Sequence, residues 1–182
     1  MMDIMKNSKH ALIVAFVVFV SACVQQSGGT QGYAEQPQVN WRDVSLKDVV
    51  SGETFKINDF KGKIVVMESM AVWCPLCAEQ QKEIQQAEQS LISADVISVS
   101  IDIDPNEDEA KLLSYVQRSG FTWHFAVAPR EFSQSLSKQY SALVLNPPST
   151  PVIIIDRDGE PHLLRYGIKS ADELVSEINK YL

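Results

Sequence analysis

Cys74 and Cys77 stand in the run Trp73-Cys74-Pro75-Leu76-Cys77. Two thiols at this spacing can exchange electrons with other thiols, supply half of a zinc site, or close a structural disulfide. Structural zinc needs two further ligands, and beyond Cys23 the chain offers no other cysteine and only His124 and His162. The apolar run Lys63 to Met70 precedes the motif, and a helical pattern from Pro75 to about Leu91 follows it. The pair therefore falls where a strand passes into a helix, an uncommon place for a purely structural disulfide. Cys74 is predicted at the helix N-terminus, where unpaired N–H groups and the helix dipole stabilise a thiolate. Cys77, one turn on, lies on the inward stripe Cys77, Ile84, Ala87, Leu91, close enough for a Cys74–Cys77 disulfide. Cys74 is then the sulfur that attacks or is attacked, and Cys77 the one that resolves the mixed disulfide.

Glu68 is the second residue with chemistry in it. Alternation along the strand places it with Ile64, Val66 and Met70 on one face. A carboxylate there is costly unless neutral or paired. Burial would raise its pKa and suit it to exchange a proton with Cys77; the alternative is a partly exposed Glu68 that meets solvent or Lys63. Other polar groups have plainer readings. His124, between Trp123 and Phe125, reads as a packed histidine rather than a metal ligand. Met67 and Met70 read as core rather than a copper site. The acids from Asp102 to Glu109 read as a solvated loop and helix start, where negative charge is favoured.

The elements that must position these groups alternate. Val49 to Ile57, with its Ser51-Gly52-Glu53 turn, reads as a hairpin. After the strand Lys63 to Met70 and the helix from Pro75 come a buried strand, Val96 to Ile101, and a helix, Glu107 to Arg118, ended by Gly120. Phe121 to Val127 is extended, and a short helix runs near Glu131 to Tyr140. Val152 to Ile155 and Pro161 to Tyr166 are strands joined by the turn Asp156-Arg157-Asp158-Gly159. Ala171 to Leu182 closes the chain as a helix with Leu174, Val175, Ile178 and Leu182 inward. This order predicts a three-layer α/β domain with a mixed central sheet and helices on both faces.

The 182 residues carry 16 Lys and Arg against 23 Asp and Glu, a net charge of -7, which excludes the basic surface of a general nucleic-acid binder. Lys6, Lys9 and His10 precede the apolar run Ala11 to Val20 and then Ser21-Ala22-Cys23. A basic start, a short apolar stretch and a small-residue site make a secretory signal. Val20-Ser21-Ala22-Cys23 resembles the lipobox of prokaryotic lipoproteins, which implies a signal peptide over 1–22, cleavage before Cys23, and lipid on its sulfur. Residues 23–40, rich in Gln and Gly and nearly free of aliphatic side chains, read as a flexible tether to a domain over 41–182.

Asp59-Phe60-Lys61-Gly62-Lys63, the apolar strand, Trp73-Cys74-Pro75-Leu76-Cys77, and Ser149-Thr150-Pro151 running into Val152-Ile153-Ile154-Ile155-Asp156-Arg157-Asp158-Gly159 resemble the thioredoxin superfamily. Within it they are most similar to the TlpA/ResA branch of extracytoplasmic thiol-disulfide oxidoreductases. The resemblance covers about residues 44–182. It implies a thioredoxin-like fold with a strand–helix insertion at about Val96 to Arg118. It also implies a cis Pro151 beside the cysteines, with the Thr150 backbone presented to substrate. The resemblance makes Trp73, Pro75, Thr150 and Pro151 the substrate-binding residues, with Trp73 shielding the site; the plainer reading of Trp73 is core packing. The position three after the second cysteine, often Glu in the family, is Gln80 here. The family also implies protein disulfide or thiol substrates, a membrane redox partner, and a reductive role such as keeping apocytochrome or metal-site thiols reduced, as in cytochrome c maturation. The reading asks for no cofactor, no metal and no nucleic acid, and for contact with a lipid bilayer only through Cys23. Two other families share parts of the pattern. Sco-type copper carriers have the fold and the anchoring, but space their cysteines one residue further apart and place a His late, where Ser141 to Thr150 has none. The peroxiredoxin pattern would put Pro and Thr where Met67 and Ala71 stand.

Overall fold

A computed structural model describes residues 38–91 and 95–182. The segment read as a signal peptide, 1–22, Cys23, and the segment read as a tether as far as residue 37 lie outside these residues. The folded unit is built on a five-stranded sheet. β3 (Ile64–Met70) is its centre, and all seven residues are buried because neighbours cover both faces and both edges. β4 (Val96–Asp102) runs parallel to β3, and β5 (His124–Val127) runs parallel to β4. On the other side β6 (Val152–Ile155) is antiparallel to β3, and β7 (Pro161–Leu163) is antiparallel to β6. The spatial order is β5-β4-β3-β6-β7, a mixed sheet of the expected class.

Four helices cover it: α1 (Pro75–Ser90), α2 (Glu109–Ser119), α3 (Arg130–Tyr140) and α4 (Ala171–Ile178). One face of the sheet presents Ile64, Val66, Met70, Phe125 and Ile154 to α1, α2 and α4. The other presents Val65, Met67, Val99, Ile101 and Ile153 to α3 and the N-terminal segment, where Trp41 and Phe132 meet edge to face. The strand–helix pair expected over Val96 to Arg118 is β4 with α2. No helix among the described residues is long and apolar enough to cross a membrane.

Local chemistry sets the boundaries. α2 starts at Glu109, not Glu107, because Asp108 is its N-cap and accepts from the Lys111 N–H at 2.8 Å. It ends where Gly120 takes a left-handed φ of 72° that a side chain would resist. The hairpin is shifted toward the N-terminus: its strands, β1 (Leu46–Lys47) and β2 (Thr54–Phe55), flank the turn, and Ile57 already opens a short 3-10 turn. β7 stops at Leu163 rather than reaching Tyr166, since the chain swings back and the Gly167 N–H donates to the Ser149 carbonyl at 2.9 Å. α4 stops at Ile178 rather than Leu182. Tyr181 closes the end by stacking on His162, and Leu182, expected inward, is 47% exposed.

Candidate functional site

The two cysteines sit where β3 hands over to α1. Cys74 is the N-cap of α1 and Pro75 its first residue, a position where the missing N–H costs no helical bond. Cys74 and Cys77 are joined as a disulfide with Cα atoms 5.3 Å apart. The Cys77 N–H donates to Cys74 Sγ at 3.1 Å. A helix-terminal amide aimed at a sulfur favours its anionic form. Cys77 Sγ lies 3.3 Å from the Pro147 carbonyl oxygen, an acceptor ready for its S–H upon reduction. Both cysteines are buried, while Trp73 and Leu76 stand out at 56% and 40% exposed, with Pro75 also exposed between them.

Trp73 is not core. Its indole Nε1–H donates to Asp104 Oδ2 at 2.6 Å, which holds the ring over the β4–α2 loop. That loop is fastened a second time, where the Val72 N–H donates to Glu107 Oε2 at 2.6 Å. Asp104 is held below the usual carboxylate range, first by the Asn106 amide and then by the Trp73 indole. Asp102 corrects the reading of this acidic run as solvated. It is the last residue of β4 and fully buried, and burial raises its pKa to about 7, with the Glu107 charge adding to the rise. The cause is strand alternation: Ser98, Ser100 and Asp102 share the inner face that faces α1 and α2.

Glu68 is buried, so the alternative of an exposed group paired with Lys63 does not hold. Its Oε1 accepts from the Gln81 side-chain amide at 2.7 Å and from the Ser100 hydroxyl at 2.6 Å. The Trp123 indole donates to Ser100 at 2.9 Å, and the Tyr115 hydroxyl donates to Gln81. Burial raises the Glu68 pKa to about 7, against the pull of those two donors and of the Lys169 ammonium. A group so placed changes charge near neutral pH.

Pro147, whose carbonyl faces Cys77 Sγ, opens the 3-10 turn Pro147–Ser149 that leads into Thr150 and Pro151. Thr150 is buried with a left-handed φ of 43°, unusual for a β-branched residue. Its N–H donates to the Pro147 carbonyl at 2.8 Å, and its own carbonyl accepts from Lys169 Nζ. The Pro151 carbonyl accepts from the Ser69 N–H at 3.2 Å, which ties this segment to β3. His124 is a packed histidine: Nδ1 lies 3.0 Å from Asp48 Oδ2, and the ring lies against Phe55 and Phe60.

Sequence reading missed Lys169. It is fully buried just before Ser170, the N-cap of α4. Gln80, one turn after Cys77, clamps its backbone: the Lys169 N–H donates to Gln80 Oε1 at 2.8 Å, and Gln80 Nε2 donates back to the Lys169 carbonyl at 3.1 Å. Gln80 carried a signal, as the position where the similar family often has Glu. A lone lysine between a strand and a helix carried none.

A family model described as Redoxin matches residues 36–182. No curated relative matches the chain. Among solved structures, a thioredoxin-family thiol:disulfide interchange protein from Chlorobium tepidum aligns at 17% identity over 76% of this chain and 92% of its own, with a TM-score of 0.60. A secreted Mycobacterium tuberculosis disulfide oxidoreductase homologous to E. coli DsbE aligns at 18% identity over 77% of this chain and 97% of its own, with a TM-score of 0.60. BsSco, of the Sco family of cytochrome c oxidase assembly proteins, aligns at 16% identity over 76% of this chain and 90% of its own, with a TM-score of 0.61. These likenesses establish the thioredoxin-like fold. The family match together with the Cys-X-X-Cys pair establishes the rest: the chain belongs to the Redoxin family and is a thiol-disulfide oxidoreductase.

Proposed function

We propose that this protein is a lipid-tethered, extracytoplasmic oxidoreductase of the TlpA/ResA type, which passes electrons to protein disulfides. Cys74 is the attacking sulfur. Its thiolate displaces one sulfur of a substrate disulfide, forming a mixed disulfide and releasing a substrate thiolate. The Cys77 thiolate then attacks Cys74 Sγ, releases the second substrate thiol and closes the Cys74–Cys77 bond. Two electrons leave the pair, and a dithiol donor, a membrane redox partner, must restore them. Glu68 takes the Cys77 proton. Trp73 and Pro75 form the exposed rim on which a substrate segment rests, and Thr150 with Pro151 form its floor. The observation that carries this reading is the Cys77 N–H aimed at Cys74 Sγ at the start of α1, with a buried carboxyl on the adjoining strand. Lipid on Cys23 and the 23–40 tether would hold the 41–182 domain at the outer side of a membrane, following the lipobox resemblance.

A copper-carrying role has less support. Among the described residues no three His, Cys, Asp or Glu side chains gather as metal ligands, and His124 is engaged with Asp48. The test is the reduction potential of the pair in fragment 36–182, equilibrated with dithiothreitol or glutathione, with and without one equivalent of Cu(I). A reversible two-electron couple below roughly −250 mV supports reduction as the working direction. A value near −120 to −180 mV would make the protein an oxidant or isomerase. Copper tight enough to block the couple would put the carrier reading first.

A further inference from the structure

We infer that Lys169 is a positioning residue of the redox site, whose buried ammonium fixes the Thr150 carbonyl and so holds in place the buried Thr150–Pro151 loop that lies beneath the rim on which a substrate segment rests. The inference rests on the exchange reading above. Lys169 Nζ donates to the Thr150 carbonyl and, at 2.7 Å, to the Gly167 carbonyl. A buried ammonium is costly to desolvate, so a fold that retains one must repay it with hydrogen bonds and opposite charge. Here it meets two carbonyls, and Glu68 attracts it. Nothing about the length of the side chain requires burial, since a lysine ahead of a helix readily reaches solvent.

The backbone of Lys169 is equally constrained. Its N–H and C=O pair with one side chain, Gln80, which sits on α1 a turn beyond Cys77. The same seam is closed again where the Ala171 N–H donates to Glu83 Oε2 at 2.7 Å. A continuous connection therefore runs from the cysteine helix through Gln80 to Lys169 and on to Thr150. At its far end Thr150 holds a left-handed conformation that a β-branched residue adopts only under outside constraint. Its amide is committed to Pro147 and its carbonyl to Lys169, and its Oγ1 is buried with no hydrogen-bond partner. The conformation is held by the bonds of its own N–H and C=O, and the Lys169 ammonium makes one of the two.

The role separates substrates by size. A protein disulfide must seat a backbone segment on this floor, whereas a small aromatic disulfide needs only the sulfur. In the full-length chain carrying Lys169→Met, KM for insulin rises roughly tenfold or more, the scale of a misplaced binding backbone. The first attack of Cys74 on 5,5′-dithiobis(2-nitrobenzoic acid), read as the burst of thionitrobenzoate in a single turnover, stays within about twofold of wild type, since that step precedes the resolution Glu68 serves and needs no such floor. Lys169→Arg, which keeps a donor cation, restores part of the insulin KM. Gln80→Leu, which frees the Lys169 backbone and leaves the ammonium in place, moves KM in the same direction by less. Wild-type kinetics toward insulin in a folded Lys169→Met protein would overturn the role, as would equal losses on both disulfides. Should Lys169→Met not fold, Gln80→Leu decides by the same comparison of the two disulfides. A wild-type chain that reduced neither disulfide would instead overturn the exchange reading, and this role with it.

Discussion

Cys74 and Cys77 differ in what surrounds each sulfur, and the difference assigns the order of events. Cys74 Sγ receives the Cys77 amide in the first turn of α1, while Cys77 Sγ faces a carbonyl that holds a thiol rather than a thiolate. Cys74→Ala is therefore expected to abolish disulfide reduction. Cys77→Ala should accumulate mixed disulfides, visible on non-reducing gels and by mass spectrometry; full activity in both variants would sink the assignment. Glu68 sets the pH behaviour. With its pKa near 7, wild-type turnover should change through neutral pH as the carboxyl loses its proton and becomes able to accept one. Glu68→Gln should remove that inflection and slow resolution on the order of 10²-fold, measured as decay of the mixed disulfide in rapid-quench experiments. An unchanged profile would leave Glu68 a core residue only. Glu68 was legible in the sequence as a lone acid on an apolar face. Lys169 was not, because its partners Gln80 and Thr150 are distant in sequence, and neither composition nor periodicity marks a lysine that turns inward.

At the scale of elements, β3 and the β4–α2 loop frame the cysteines. The loop is pinned to the residues preceding Cys74 by two carboxylates, Glu107 on the Val72 N–H and Asp104 on the Trp73 indole. Glu107→Ala leaves the Val72 N–H without its acceptor and should cost about 1–3 kcal/mol in urea denaturation. It should also speed alkylation of Cys74 in the reduced protein, and unchanged alkylation would mean that the loop does not guard the sulfur. Most of the strand and helix order was legible because central strands are continuously apolar and helix starts carry caps. The acidic run was misread at one residue. Asp102 belongs to β4 by alternation with Ser98 and Ser100, yet its neighbours Asp104 and Glu107 are loop acids, and a run of charge hides the residue where the strand ends. The ends of β7 and α4 were misjudged for a similar reason: Gly167 and Tyr181 act through contacts with Ser149 and His162 that are distant in sequence.

For the whole molecule, two buried carboxyls with raised pKa values fix the sign of the pH dependence of stability. Glu68 and Asp102 bind protons more tightly folded than unfolded. The stability they contribute is fully present below their ordinary pKa values, near 4, and is lost as pH rises through about 7. Lys169, whose pKa burial lowers to about 8, acts at higher pH and does not oppose this window. The melting temperature of fragment 36–182 should therefore fall between pH 5 and 8, by scanning calorimetry at constant salt. The Glu68→Gln and Asp102→Asn variants should each flatten the slope, and a slope that neither variant alters would place its origin elsewhere. Tethering is tested on the full-length chain: Cys23→Ser should move the protein from the membrane to the soluble fraction of cells, and retention in the membrane would remove the lipid anchor from the proposal.

The seam between α1 and the start of α4 also has a consequence in time. Gln80 and Lys169 are 89 residues apart. During synthesis or export both sulfurs emerge long before the lysine that braces the Thr150 backbone. In an oxidising compartment the Cys74–Cys77 bond can thus close on an unfinished chain, and only the arrival of Lys169 completes the brace on Thr150. On the role proposed for Lys169, the order of emergence makes discrimination among substrates the last property the protein acquires.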